Sequence, residues 1–246
     1  MTHPSVASDT SPSLGEEPIN ENENDNENYL TKTKTKTKRR LLALAVVVLI
    51  LCIDQWLKIW VKTHLCPGES ICLADWARIA FVENKGMAFG MDFVGTWLLC
   101  IFRLVAVGLL SWLLWRLAAK PRLRWPFIVL LAMVVAGAAG NIIDNVLYGL
   151  IFSDSNGFTP ATLVPLGQGY GSIMEGRVVD MFYFPIIDTH WPQWMPFVGG
   201  GHFIFFSPIF NFADAAITTG GALLVICYYK TLNQLLTHKK VKRQNS

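Results

Sequence analysis

Five ionisable residues stand inside otherwise apolar stretches of this chain: Asp54, Lys58, Arg103, Asp144 and Asp214. A charge in hydrocarbon is costly, so such groups are expected to face one another or a site. A sixth, Asp180, lies in Arg177-Val178-Val179-Asp180-Met181-Phe182-Tyr183-Phe184-Pro185, a segment apolar enough to press back on a membrane mouth. Two carboxylates at one partly desolvated place repel, so one holds a proton at neutral pH while the other stays ionised. Peptide hydrolysis can use that division: the ionised carboxylate takes a proton from water and the protonated one polarises the carbonyl. At i, i+4 spacing Asp54 and Lys58 also fit plain mutual neutralisation, which leaves Asp144, Asp180 and Asp214 unexplained. Rival chemistries have little support. There is no Gly-x-Ser-x-Gly elbow, no Ser and Lys placed for a serine–lysine dyad, and no zinc-protease pair among five scattered histidines. The five cysteines show no metal spacing.

The elements that must hold these groups are long apolar runs. Hydrophobic residues make up 52% of the 246, with 16% charged and a mean hydropathy of +0.36. That is too apolar for an ordinary soluble domain and too charged for a chain wholly in lipid. Runs at Leu41–Val61, Phe93–Leu117, Trp125–Leu147 and Phe203–Tyr229 can each cross about 30 Å of hydrocarbon as a helix. Counted along them, Asp54 stands about 20 Å up the first run and Asp214 about 15 Å down the fourth. All five ionisable groups then fall in the outer half of the bilayer. The first run carries Asp54 and Lys58 and no small-residue cleavage site follows, so it is not read as a removable signal peptide. Leu51 before Cys52 argues against lipidation there.

Orientation follows from the basic residues. Of 21 Lys and Arg residues, fifteen flank one side, in the tail before Leu41, the loop between the second and third runs, and the C-terminus. Only Lys62, Arg78, Lys85 and Arg177 fall on the other side. The bias predicts cytoplasmic termini and two outer loops. Because the cations flank apolar runs rather than share a folded face, nucleic acid is not an expected partner. Residues 1–30 hold too little apolar surface to offset ordering, and Thr31–Arg40 is a Thr-Lys repeat ending in Lys38-Arg39-Arg40. The expectation for 1–40 is a disordered, basic-ended cytoplasmic tail. Residues 41–230 form the four-helix membrane domain and 231–246 a basic cytoplasmic tail. Cys66 and Cys72 share the first outer loop, where a disulfide is permitted and left open. Trp191 and Trp194 in the long second loop read as interfacial anchors.

Five blocks resemble, in order, the motifs of the lipoprotein signal peptidases (signal peptidase II). They are Asp54-Gln55-Trp56-Leu57-Lys58, Phe81-Val82-Glu83-Asn84-Lys85-Gly86-Met87-Ala88-Phe89-Gly90, Gly140-Asn141-Ile142-Ile143-Asp144, Val178-Val179-Asp180 and Phe210-Asn211-Phe212-Ala213-Asp214. The resemblance spans roughly residues 41–230 and implies an all-α membrane protein, four transmembrane helices with a small extracytoplasmic β cradle. It implies an aspartic endopeptidase that cuts prolipoproteins just before a diacylglyceryl-modified Cys, without metal or cofactor. Its catalytic pair would be Asp180 and Asp214. Asn84, Gly86, Asn141, Asp144 and Asn211 would shape the site, with Asp54 and Lys58 bracing the first helix. Its partners would be lipid-modified prolipoproteins, membrane lipid and globomycin-class inhibitors; its location, the bacterial inner membrane with the site facing the periplasm. Two departures stand out. Asn145 follows Asp144 where the family has Arg, so Arg103 is expected to supply a cation near Asp144. Arg177 stands where a His is common. A transporter would show internal repeats or broken helices, which are not visible here. A structural membrane protein would have no need of a carboxylate in an outer loop.

Overall fold

In lipid no water is available to satisfy backbone amides, so apolar runs must close their hydrogen bonds internally, as helices do. The structure, a computed structural model, describes residues 21–84 and 96–244, with backbone alone at 21–28, 96–97 and 238–244. Among them, four helices are long and apolar enough to cross a membrane: Tyr29–His64, Leu98–Ala118, Trp125–Ile151 and Phe212–Thr237. The full elements are α1 (Glu21–His64), α2 (Thr96–Ala118), α3 (Trp125–Ile143) and α5 (Phe212–Gln244). Between α3 and a last turn α4 (Gly149–Ile151) lies one π-helical turn, Asp144–Tyr148.

Helix α3 is central and packs against α1, α2 and α5. Its inward residues recur at helical spacing, from Phe127, Ile128 and Leu131 through Val135 and Ala136. Small residues let backbones approach: a Cβ on Gly137 would lie 2.3 Å from the Ala213 carbonyl oxygen. Large apolar side chains such as Phe102, Leu109, Trp112 and Ile226 point outward and stay exposed. Lipid, not protein, is their natural solvent.

At the end where α1 finishes and α5 begins, β1 (Ser70–Ala74), β2 (Ala77–Asn84), β3 (Val178–Tyr183) and β6 (Ile209–Phe210) form an antiparallel sheet in that order. Strand β2 pairs with β3 so that Val82 opposes Asp180 and Asn84 opposes Val178. A separate hairpin joins β4 (Ile187–His190) and β5 (His202–Phe205).

Where the sequence suggests a disordered tail, residues 21–40 continue α1; residues 1–20 lie outside the described residues. A helix already nucleated by an apolar span extends at little cost, and Lys tolerates helix well. The basic C-terminal segment likewise continues α5, to Gln244. The fourth span is expected from Phe203, yet β5 and β6 occupy that stretch and the helix starts at Phe212. Pro208 precludes helix there, and the aromatic and β-branched residues around it suit strands. Asp214 therefore belongs to the first turn of α5, not to its middle.

Candidate active site

The last block of the sequence builds a helix start. Asn211 precedes α5 and its Oδ1 accepts the Asp214 N–H at 2.9 Å, while Asp214 Oδ2 accepts the Asn211 N–H at 3.3 Å. This reciprocal pair satisfies two of the amides that a helix N-terminus leaves open. A third, the Ala213 N–H, donates to Asp54 Oδ1 at 2.9 Å. Asp54 thus ties α1 to the start of α5 and fixes the place of Asp214.

Lys58 lies one turn further along α1. Its Nζ is 2.9 Å from Asp54 Oδ2 and 2.7 Å from Asp144 Oδ2, with all three side chains fully buried. It also donates to Asn141 Oδ1 at 2.8 Å, and Asn141 Nδ2 donates to Asp214 Oδ1 at 2.8 Å. The Lys58 cation therefore sets which way the Asn141 amide faces. Gln55 donates to Asp144 Oδ1 at 2.9 Å and accepts from the Tyr148 hydroxyl at 3.2 Å. The π turn widens the helix and brings Asp144, Asn145 and Tyr148 all to buried positions.

Asp180 comes from β3. Asn211 Nδ2 donates to its Oδ1 at 2.7 Å, and Asn84 Nδ2, two residues off the register pair of Asp180, reaches its Oδ2 at 3.4 Å. Only 6% of Asp180 is exposed. Burial, with the Asp214 charge in second place, pushes its pKa up to about 6, against the pull of the Asn211 and Asn84 amides. Asp180 and Asp214 line one cavity of about 320 Å³ with Asn84, Arg103 and Asn141. Its opposite wall is apolar, from Ala106, Val107 and Leu110 of α2. No group of three or more His, Cys, Asp or Glu that could hold a metal occurs among the described residues.

The structure thus joins Asp54, Lys58, Asn84, Asn141, Asp144, Asp180, Asn211 and Asp214 into one connected set. Gly86 lies outside the described residues. Lys58, rather than Arg103, is the cation on Asp144; Arg103 Nη1 donates to Asn145 Oδ1 at 3.0 Å, and Asn145 Nδ2 to the Gly176 carbonyl at 2.9 Å. Cys66 and Cys72 are both free thiols. Trp191 packs on Phe203 within the β4–β5 hairpin, while Trp194 is exposed.

A second buried cluster escaped the sequence reading. Lys62, counted as an outer-loop cation, is fully buried and bonds Glu83. Arg177 Nη1 reaches Glu83 Oε2 at 2.8 Å and Asp154 Oδ1 at 2.9 Å. Ser155 Oγ lies 3.0 Å from both Lys62 Nζ and Glu83 Oε1, so a Ser–Lys contact exists where none was expected. Lys62 pairs with Glu83 and Glu83 with Arg177, so the cluster works as a strut from α1 to β2 and to the start of β3. The signal was present: Asp54, Lys58 and Lys62 recur every fourth residue on one face of α1.

Comparison with known proteins identifies the family. The family model described as signal peptidase (SPase) II matches residues 46–230. A lipoprotein signal peptidase of Porphyromonas gingivalis is 48% identical over 190 residues, covering 77% of this chain and 84% of its own length. One of Amoebophilus asiaticus is 33% identical over 187 residues, covering 71% and 72% respectively. A bacterial membrane enzyme solved by the in meso method shares the fold, with a TM-score of 0.50 at 20% identity over 76% of this chain and 92% of that one. The chain belongs to the signal peptidase II family.

Proposed function

We propose that this protein is an aspartic endopeptidase that removes signal peptides from diacylglyceryl-modified prolipoproteins, cutting just before the lipidated Cys. The observation that carries it is the pair Asp180 and Asp214 on one cavity, each held by a carboxamide side chain. Asp214, at a helix N-terminus that suits a carboxylate, takes a proton from water as the oxygen attacks the scissile carbonyl. Asp180, whose raised pKa favours the acid form, gives its proton to the carbonyl oxygen. The tetrahedral species then collapses: its C–N bond breaks, Asp214 protonates the departing amine and Asp180 regains a proton. Asn84, Asn141 and Asn211 hold the carboxylates, and Asp54, Lys58 and Asp144 brace α1, α3 and α5 around them. The apolar α2 wall suits the apolar stretch of a signal peptide.

The charge bias supports cytoplasmic termini and a cavity on the periplasmic side of the inner membrane. A scissile bond near the outer surface suits that depth. Globomycin-class inhibitors would compete for the same cavity. The test is gel-shift release of a signal peptide by the purified protein from a diacylglyceryl-modified precursor, beside an unmodified one. Cleavage of the modified precursor alone, blocked by globomycin, is expected. Equal cleavage of both, or of neither, would contradict the assignment.

A further inference from the structure

At the opposite end of the helices from the aspartates, a groove of about 360 Å³ lies between α1 and the turn that joins α2 to α3. Lys32, Lys36 and Arg39 line its α1 side, and Ala119 and Pro121 the other. Their spacing of four and three residues puts the three cations on one helical face. Arg39 is only 2% exposed. Its guanidinium donates to the carbonyls of Pro121 at 3.2 Å and Leu123 at 2.5 Å, while its Nε is buried without a hydrogen-bond partner. A buried cation satisfied only by carbonyls keeps its full positive charge. Among the described residues, none of the ion pairs involves a cation at this end.

The groove's level is marked by tryptophan. Arg39 lies over the Trp125 ring at 5.5 Å and Arg40 over Trp115 at 4.2 Å. Indoles concentrate where headgroups meet hydrocarbon. Immediately beyond, on the face of α1 turned away from the groove, Leu41, Leu44 and Val48 are exposed and apolar, so hydrocarbon begins just past the level of Arg39. A ligand here would set a charged group among Lys32, Lys36 and Arg39 at the edge of that level.

We propose that this groove binds a phosphate group, in the form its level supplies, the headgroup of an anionic phospholipid. Lys32 and Lys36 clamp the phosphate as mobile point charges, and Arg39, fixed by the turn, adds a preorganised one. The same chemistry would accept a soluble phosphate. Bound lipid would join α1 to the α2–α3 turn, at the far end of the helix that carries Asp54 and Lys58.

The test uses the full chain in a zwitterionic detergent, read by native mass spectrometry during titration with phosphatidylglycerol, phosphatidylcholine, or sodium phosphate at constant ionic strength. Lys32→Gln with Lys36→Gln is compared with Lys34→Gln with Lys38→Gln, the same charge change off the groove face. Arg39 is left intact because it holds the turn, and thermal unfolding without lipid checks that both variants fold. The expected result is selective retention of phosphatidylglycerol over phosphatidylcholine, weakened about tenfold or more in the Lys32/Lys36 variant alone. Retention of inorganic phosphate with the same dependence would identify a soluble phosphate as an occupant of the site. If the two variants lose binding equally, or neither does, the groove is not a site and the cations act only as a diffuse surface charge.

Discussion

Lys58→Met removes the one cation that stands between Asp54 and Asp144 while keeping most of the side-chain volume. In the wild type its Nζ touches both carboxylates, at 2.9 and 2.7 Å, and all three groups are fully buried. Breaking a buried pair costs about 3–5 kcal/mol, because the partner charge is left uncompensated. For a chain of this size that is a fall in Tm of about 6–20 °C. Two carboxylates are orphaned but not equally. Asp54 retains the Ala213 N–H and Gln55, whereas Asp144 retains Gln55 alone among the hydrogen-bond donors found for it. Adding Asp144→Asn should therefore recover at least half of the loss, since Asn can still accept from Gln55. Thiol-dye unfolding in detergent reads this directly: Cys66 and Cys100 are buried reporters once the exposed Cys52, Cys72 and Cys227 are changed to Ala. Whatever fraction of Lys58→Met folds should also be slower by about 10- to 100-fold, because Asn141 loses the donor that orients its amide toward Asp214. A Tm within about 2 °C of wild type, or further destabilisation when Asp144→Asn is added to Lys58→Met, would refute the bracing argument.

Three further expectations follow from the same geometry. Burial alone would raise the Glu83 pKa, but Lys62 with hydrogen bonds from Arg177 and Ser155 holds it below the ordinary value. Its stabilisation is therefore present above the unfolded pKa and lost as pH falls through the folded one, so Glu83→Gln should lower Tm at pH 7 and flatten the acid limb of Tm against pH. Gly137→Ala would press a methyl onto the Ala213 carbonyl and Ile217; it should cost about 1–3 kcal/mol and reduce cleavage, while Gly108→Ala, with open space at its Cβ, should do neither. Because Asp180 titrates near 6 in the folded protein, kcat/KM should fall as pH rises above that value and its acid form is lost; a profile flat from pH 5 to about 9 would contradict its role as the acid.

What the sequence disclosed, and what it did not, divides along physical lines. The spans were legible because hydrocarbon demands length and apolarity, and Asp54, Lys58 and Asp144 were legible because charge in such runs is rare. The start of α5 was misplaced because Phe203–Phe210 is as apolar as a span. The Asn211-Phe212-Ala213-Asp214 cap and Pro208 were better guides to that boundary than hydropathy. The π turn at Asp144 has no compositional mark, and it is what turns Asn145 and Tyr148 inward. Lys62 and Glu83 were missed because counting cations by loop ignores which face of α1 they occupy. The described residues that the resemblance singles out form one connected set, and the hydrogen bonds add which amide holds which carboxylate.

The most direct measurement of the account is cleavage of a diacylglyceryl-modified precursor by Asp180→Asn, Asp214→Asn and the double variant, with Asp75→Asn as control. Asn keeps the size of Asp but can neither take nor hold the shuttled proton. Asp180→Asn also removes a carboxyl that is disfavoured when ionised: its folded pKa is raised, so its cost is present above about 6 and vanishes as pH falls. That variant should stay folded at neutral pH. Each single change should abolish most cleavage, and the double variant should be little worse than either, because the two act as a unit on one water. Asp75, exposed between β1 and β2, should be dispensable. Near-normal turnover by either single variant, with the protein folded in the membrane, would contradict the two-aspartate mechanism.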